Sequence, residues 1–139
     1  MSKIEKTQQL NYSIEQVWSA MTHQDSLSVW LMPNDFKPET GHVFTFQTQP
    51  APGFDGIVHS KVLDIQPPHL LKLAWNTGNI KTTVTFKLVA QGGKTRLHLN
   101  HEGFSLTQLP VKLMLDQGWK KILGQKLPTY LHKHTHLTH

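Results

Sequence analysis

The residues of this chain that most readily do chemistry are its ten histidines, because imidazole is both a metal ligand and an acid or base near neutral pH. His98 and His101 lie three residues apart in a strand-like run. The two-residue period of a strand sends them to opposite faces, so they cannot share a metal ion. Further histidines crowd residues 132–139, a segment that lacks a second shell to orient their rings. We therefore expect neither a metal site nor a cofactor.

A hydroxyl beside an imidazole is the other pattern with catalytic potential. Ser60 and His101 are the polar exceptions on predicted inward strand faces that are otherwise apolar. Such a pair needs a third, orienting group, but the nearby acid Glu102 falls on the opposite face. Asp35 and Asp55 lie in loops, where they suit either acid chemistry or turn formation. An enzyme that uses Ser60, His101 or Asp55 as acid or base is therefore an alternative function.

Length and composition place these residues in one soluble domain. The chain has 139 residues, a common domain size, and no cysteine, which excludes a disulfide scaffold and a thiol nucleophile. It contains no 18-residue apolar run, and residues 1–6 lack the apolar stretch of a signal peptide. We expect a cytoplasmic protein without a membrane partner.

The formal charge of +5 comes mainly from the C-terminal segment. Residues 109–139 carry five lysines against Asp116 alone, and the chain has one arginine, Arg96. Arginine is the better bidentate reader of phosphate, so the lysines favour a solvated helix face over a nucleic-acid site. A protein-interaction surface around Lys120 and Lys121 is a third hypothesis.

Helical patterns flank the middle of the chain. Ser13 and Gln16 have the form of a capping box, and the apolar spacing that follows predicts a helix over residues 13–22. A second short helix is predicted over residues 24–31. The longest helix begins near Pro110 and repeats its apolar residues at three and four.

Pro128 interrupts that longest helix. Its ring would crowd the Gly124 carbonyl, which predicts a kink or an end there. The residues beyond it, 132–139, are interpreted as a flexible, histidine-rich tail.

Between the helices apolar and polar residues alternate with the two-residue period of a strand, and Gly or Pro ends each run. The run before the first helix suits an edge strand because it carries several charges. Turn-forming residues at 76–79 and 91–94 predict hairpins. The six predicted strands occupy residues 3–10, 42–48, 56–65, 71–75, 80–89 and a last run that includes Leu97 and Leu99.

This order resembles the helix-grip fold of the START-like, or Bet v 1-like (SRPBCC), superfamily. Within it, the chain is most similar to the subfamily named for the activator of the ninety-kilodalton heat-shock-protein ATPase. The strings that carry this resemblance are VWSAMT at 17–22, WLMPNDF at 30–36, GHVFTF at 41–46, GFDG at 53–56, VLDIQPP at 62–68, LAW at 73–75, TTVTF at 82–86, GKTRL at 93–97 and GW at 118–119.

The resemblance implies an α+β domain over residues 1–131, in which an antiparallel sheet of about six strands wraps around the long C-terminal helix. Two short helices follow the first strand. It also implies a cavity between sheet and helix. The superfamily includes carriers, receptors and cyclases, so a cyclase- or hydrolase-like enzyme and a co-chaperone-like module are alternatives to a carrier.

Large aromatic rings fall on the predicted inward faces, and so many rings are difficult to pack to interior density without voids. Methionines would give such a cavity adaptable walls. We therefore expect the chain, as monomer or homodimer, to bind a small hydrophobic molecule. The candidate cavity-lining residues are Trp30, Phe44, Phe46, Ser60, Trp75, Phe86, His101, Met114 and Trp119.

Overall fold

The computed structural model describes residues 2–52 and 54–136 of the chain. Within that part there are six strands and four α-helices in the predicted α+β order: two helices follow the first strand, and two follow the last. These elements are β1 (Ser2–Leu10), α1 (Ile14–Met21), α2 (Gln24–Trp30), β2 (Val43–Gln47), β3 (Ile57–Gln66), β4 (Leu70–Thr77), β5 (Ile80–Gln91), β6 (Lys94–Phe104), α3 (Leu109–Lys121) and α4 (Leu127–His136).

The six strands form one antiparallel sheet in the order β1-β6-β5-β4-β3-β2. Two-residue turns at 78–79 and 92–93 join β4 to β5 and β5 to β6, as their glycines predict. The strands bury alternate residues, for example Val84, Phe86 and Leu88 in β5. The predicted sheet, including β1 as an edge strand, is therefore confirmed.

The first short helix is capped at its start, and one buried hydrogen bond joins it to the second. The predicted capping box of α1 is present, because the Gln16 amide donates to Ser13 Oγ (3.2 Å) and the Ser13 amide donates to Gln16 Oε1 (2.9 Å). In α2, the indole N–H of Trp30 donates to the Ala20 carbonyl at 2.9 Å. This bond fixes α2 against α1 and satisfies a donor that would otherwise be buried without a partner.

The C-terminal helix does not end at Pro128. A π-helical turn, Ile122–Lys126, joins α3 to α4, and the Leu127 amide donates to the Ile122 carbonyl, five residues back. Proline lacks an amide hydrogen and crowds the preceding turn, and a π turn is a recognised way to accommodate such a break inside a helix. The helix then continues to His136, so residues 132–136 are helical and not the tail expected; 137–139 lie outside the described residues.

The two halves of this helix pack differently on the sheet. Leu123, Leu127 and Leu131 are all at most 2% exposed, so the half that contains α4 is sealed onto the core. In α3, Trp119 is the buried residue, and the helix is also tied to β1 by an ion pair between Asp116 and Lys6. Leu115 of α3 is partly buried against the core, whereas Leu113 and Met114 are exposed, and a space remains between part of α3 and the sheet. No helix in the described residues is long and apolar enough to cross a membrane.

Candidate functional site

A cavity of about 560 Å³ lies between α3 and the end of the sheet formed by β3, β4 and β5. Val58 of β3 and Trp75 of β4 form part of its wall on the sheet side. Met114, Leu115 and Gly118 line it from the helix. The cavity therefore occupies the space that α3 leaves open by standing off the sheet.

Two loops form further walls of the cavity. Leu31 and Met32, which follow α2, line one side. The loop between β2 and β3 supplies others, including Pro52 and Phe54. Gly56 holds this loop in place because its φ is +81° and an added Cβ would lie 2.7 Å from the Thr48 carbonyl oxygen. A side chain at that position would displace the loop that forms the cavity wall.

The cavity lining carries no ionisable side chain among the described residues. Its polar members are the neutral side chains of Thr48, Gln49 and Thr77. An unpaired charge is costly to bury in such surroundings, whereas neutral groups can be satisfied by a few hydrogen bonds. The lining therefore favours an uncharged, largely apolar occupant.

Of the nine side chains predicted to line the cavity, Trp75, Met114 and Trp119 do so. Trp30, Phe46 and Phe86 instead surround a void of only about 10 Å³ in the core, which is too small for a ligand. The remaining predicted residues, Phe44, Ser60 and His101, are buried but do not line the cavity.

The aromatic rings fill the core where voids were expected. Phe44 and Phe46 pack edge to face with ring centroids 5.2 Å apart, and Phe46 packs on Trp75 at 5.2 Å. Trp75 then contacts Trp119 at 5.4 Å, and Trp119 contacts Phe86 at 5.9 Å. These spacings are those of favourable aromatic pairs. The row is continuous, and the cavity adjoins it at Trp75 and Trp119, in the middle of the row.

His101 lies at the centre of a buried hydrogen-bonded chain behind those two tryptophans. The indole N–H of Trp119 donates to His101 Nδ1 at 3.0 Å. His101 Nε2 lies 2.7 Å from Thr82 Oγ1, whose hydroxyl donates to the Trp75 carbonyl at 2.5 Å. Burial lowers the pKa of His101 from 6.5 to about 4, so the ring is neutral at pH 7.

The structure does not assemble Ser60 and His101 into a pair. Ser60 lies directly opposite Trp75 in the β3–β4 ladder, and Trp75 in turn contacts the His101 ring at 5.8 Å. The Trp75 side chain therefore stands between them, and both His101 nitrogens already have partners. Ser60 Oγ is buried without a hydrogen-bond partner, as a small filler residue.

The two loop carboxylates have structural contacts. Asp35 Oδ1 accepts from the Thr45 amide at 2.8 Å, and Asp55 Oδ1 accepts from the Ile57 amide at 3.0 Å. Both side chains are exposed. The Asp55 bond, two residues along the chain, is the turn-forming role predicted for it, whereas the Asp35 bond ties its loop to β2, ten residues away. Within residues 2–52 and 54–136, no three side chains of His, Asp or Glu form a group suited to a metal ion.

Sequence reasoning missed three residues that shape the site. Thr82 was assigned only to a strand, although a hydroxyl on a buried strand face must find a partner. Phe54 lies between turn glycines, and a large ring in such a loop is a signal for a wall residue. Gly118 was noted as part of the GW string, yet it lines the cavity and an added Cβ would meet nothing within 4 Å.

The chain matches the family described as "Activator of Hsp90 ATPase homolog 1-like protein" over residues 11–132. It belongs to this family. The match covers most of the chain and confirms the resemblance drawn from its motifs. No curated protein matches the chain.

Solved structures of similar proteins share the fold. A crystal structure of a protein from Mesorhizobium loti is 27% identical, with a TM-score of 0.87, and the match covers 95% of this chain and 98% of that one. A solution structure of a Bacillus halodurans protein is 27% identical, with a TM-score of 0.82 and coverage of 94% and 97%. A solution structure of the Aha1 dimer from Colwellia psychrerythraea is 20% identical, with a TM-score of 0.75 and coverage of 88% and 91%.

Proposed function

We propose that this domain binds a small, uncharged, largely apolar molecule in the cavity beneath α3. The observation that carries the proposal is the cavity of about 560 Å³ whose lining contains no ionisable side chain. Its volume falls in the range of small-molecule sites, which are mostly apolar with a few polar groups that orient the ligand. Thr48, Gln49 and Thr77 are the polar groups of this kind.

The two tryptophans make a flat molecule a good occupant. Trp75 and Trp119 lie at the inner end of the cavity with ring centroids 5.4 Å apart and planes tilted by 53°. Such rings offer large rigid contact areas at low entropic cost. Met32 and Met114, which also line the cavity, can adjust to different ligand shapes because their side chains are unbranched and flexible.

A thermal-shift screen tests the proposal, using neutral polycyclic aromatics and neutral lipids as probes, with their charged analogues in parallel. Gly118→Leu places a side chain into the cavity from α3, where nothing lies within 4 Å of an added Cβ. Gly124→Leu is the matched control, because Gly124 is exposed and lies outside the cavity.

We expect at least one neutral compound to raise the melting temperature of the wild type and of Gly124→Leu. Gly118→Leu should lose that shift and weaken binding at least about tenfold, which corresponds to about 1.4 kcal/mol. If no neutral compound shifts the wild type, or if Gly118→Leu binds as well as Gly124→Leu, the proposal is wrong.

The other functions expected from the sequence stay predictions. The enzyme alternative required a shared reaction centre, but Ser60, His101 and Asp55 do not converge on one point. The protein-interaction alternative retains its exposed lysines, Lys120 and Lys121. Cytoplasmic location, the absence of nucleic-acid and membrane partners, and the choice between monomer and homodimer are likewise predictions.

A further inference from the structure

The buried hydrogen-bonded chain around His101 has only one arrangement of its protons. An indole N–H can only donate, so His101 Nδ1, 3.0 Å from Trp119 Nε1, must accept and carry no proton. The proton of the neutral ring is then on Nε2, which donates to Thr82 Oγ1 at 2.7 Å. The Thr82 hydroxyl passes its own hydrogen on to the Trp75 carbonyl. Each donor therefore meets an acceptor.

The surroundings of the ring keep it in that state. Its hydrogen-bond and ring contacts are Trp75 of β4, Thr82 of β5, Phe104 of β6 and Trp119 of α3, and the residues directly opposite it in the sheet are Ile4 of β1 and Val84 of β5. None of these side chains titrates near neutral pH. The acid next to it in sequence, Glu102, is exposed on the other face of β6. His101 itself is 0% exposed. With neither a charged neighbour nor solvent, the ring stays neutral and Nδ1 stays available as an acceptor.

The two tryptophans that these hydrogen bonds hold also form the inner wall of the cavity. Trp119 is bound through its side chain, and Trp75 through its carbonyl and through its ring contact with His101. Trp119 is the buried residue of α3, so its orientation decides how that part of the helix sits over the cavity. His101 does not line the cavity.

We propose that His101 is the positioning residue of the binding site: its Nδ1 holds the Trp119 indole in place as a cavity wall and occupies the indole N–H, so that the ligand meets the ring and not a donor. This inference rests on the proposed function for its ligand and extends it in one respect. A ligand should gain nothing from an acceptor group directed at Trp119.

Three variants separate positioning from simple core packing. His101→Phe keeps a ring of similar size but removes the acceptor. His101→Gln restores an acceptor and a donor in a side chain of similar length. Thr82→Val removes the hydroxyl at the far end of the hydrogen-bonded series but leaves the bond between His101 and Trp119. It is the matched control for the loss of a buried hydrogen bond elsewhere in the series.

The first readout needs no ligand. The indole ¹H–¹⁵N signal of Trp119, assigned with Trp119→Phe, reports on its hydrogen bond, and the ¹⁵N shifts of the His101 ring report on its tautomer. We expect the neutral Nε2–H tautomer in the wild type, together with a Trp119 indole hydrogen that exchanges slowly with water. His101→Phe should shift this signal and speed its exchange at least about tenfold, and His101→Gln should recover part of both changes. An Nδ1–H tautomer in the wild type overturns the inference even if His101→Phe does not fold.

The second readout is affinity for the neutral compound with the largest thermal shift on the wild type. His101→Phe should weaken it at least about tenfold, His101→Gln by less, and Thr82→Val by less than about threefold. Equal affinity for wild type and His101→Phe, or no recovery in His101→Gln, overturns the inference. If no compound binds the wild type, the proposed function fails and so does the ligand part of the inference, whereas the indole signals still decide whether His101 holds Trp119.

Discussion

The two halves of the C-terminal helix are held to the same sheet in different ways. The half beyond Lys121 is attached by apolar packing, with Leu123, Leu127 and Leu131 almost completely buried. The α3 half is attached chiefly through Trp119 and its bond to His101. The π turn, which contains Leu123, begins where the packed half begins. The cavity therefore lies where a hydrogen-bonded tryptophan, and not a row of packed leucines, holds the helix to the sheet.

This division lets one helix serve two purposes. Apolar burial is non-directional and strong, so three leucines are enough to fix the α4 half onto the core. A single hydrogen-bonded anchor fixes a position while leaving the space around it unfilled. The exposed residues Leu113 and Met114 show how little of α3 is used for packing, because they are 56% and 67% exposed.

The largest effect is expected from truncating a leucine in the packed half. Leu127 is 0% exposed, so Leu127→Ala should lower the free energy of unfolding by about 2–5 kcal/mol through lost transfer energy and a new cavity. Leu115 lines the existing cavity and is only partly buried against the core, so Leu115→Ala should cost only about 1 kcal/mol because less apolar area returns to water. Urea unfolding at pH 7 measures both. Equal costs would mean that the two halves are packed alike.

An effect of intermediate size is expected from pH, since the anchor of α3 contains a titratable group. Burial lowers the folded-state pKa of His101 from 6.5 to about 4, so between these values the unfolded chain binds more protons than the folded one. Stability from this residue is therefore complete above about pH 6.5 and is lost as pH falls towards 4. The loss amounts to at most about 3 kcal/mol.

Urea unfolding between pH 7.5 and 4 checks this pH dependence in the wild type and in His101→Phe, with His59→Gln as the control. His59 is exposed on the opposite face of the sheet, so His59→Gln removes a histidine that is not part of the anchor of α3. His101→Phe should flatten the slope between pH 6.5 and 4. An unchanged slope in His101→Phe would show that the anchor of α3 does not titrate in this window.

The sequence predicted the helices and strands better than the contacts between them. The sheet and the capping box of Ser13 follow from local periods and spacings, which neighbouring residues largely determine. The placement of the cavity depends on how rings from distant strands pack, and the bond between His101 and Trp119 joins residues 18 apart on different elements. Both are tertiary properties, which explains why the inward faces were predicted correctly while most cavity-lining residues were not.

Pro128 shows the same limit within a single helix. Its steric conflict with the preceding turn was evident from the sequence, and a kink or an end was the expected outcome. The helix does not end there but continues through the π turn, with Leu123, Leu127 and Leu131 buried against the core. The gain from burying those leucines favours continuation of the helix, and local sequence rules do not include that gain.

The smallest effect, and the finest test of the difference between the halves, is expected from adding one methyl group to each. Gly118→Ala removes a flexible residue from α3, and nothing lies within 4 Å of the added Cβ, so the free energy of unfolding should rise by about 0.5–1 kcal/mol. Gly124→Ala lies in the π turn with Gln8 Oε1 at 3.9 Å, an ordinary contact, and should gain less because that turn is not α-helical. Urea unfolding compares the two. A destabilised Gly118→Ala would mean that α3 lies against the sheet in solution, and the cavity beneath it would then have no room for a ligand.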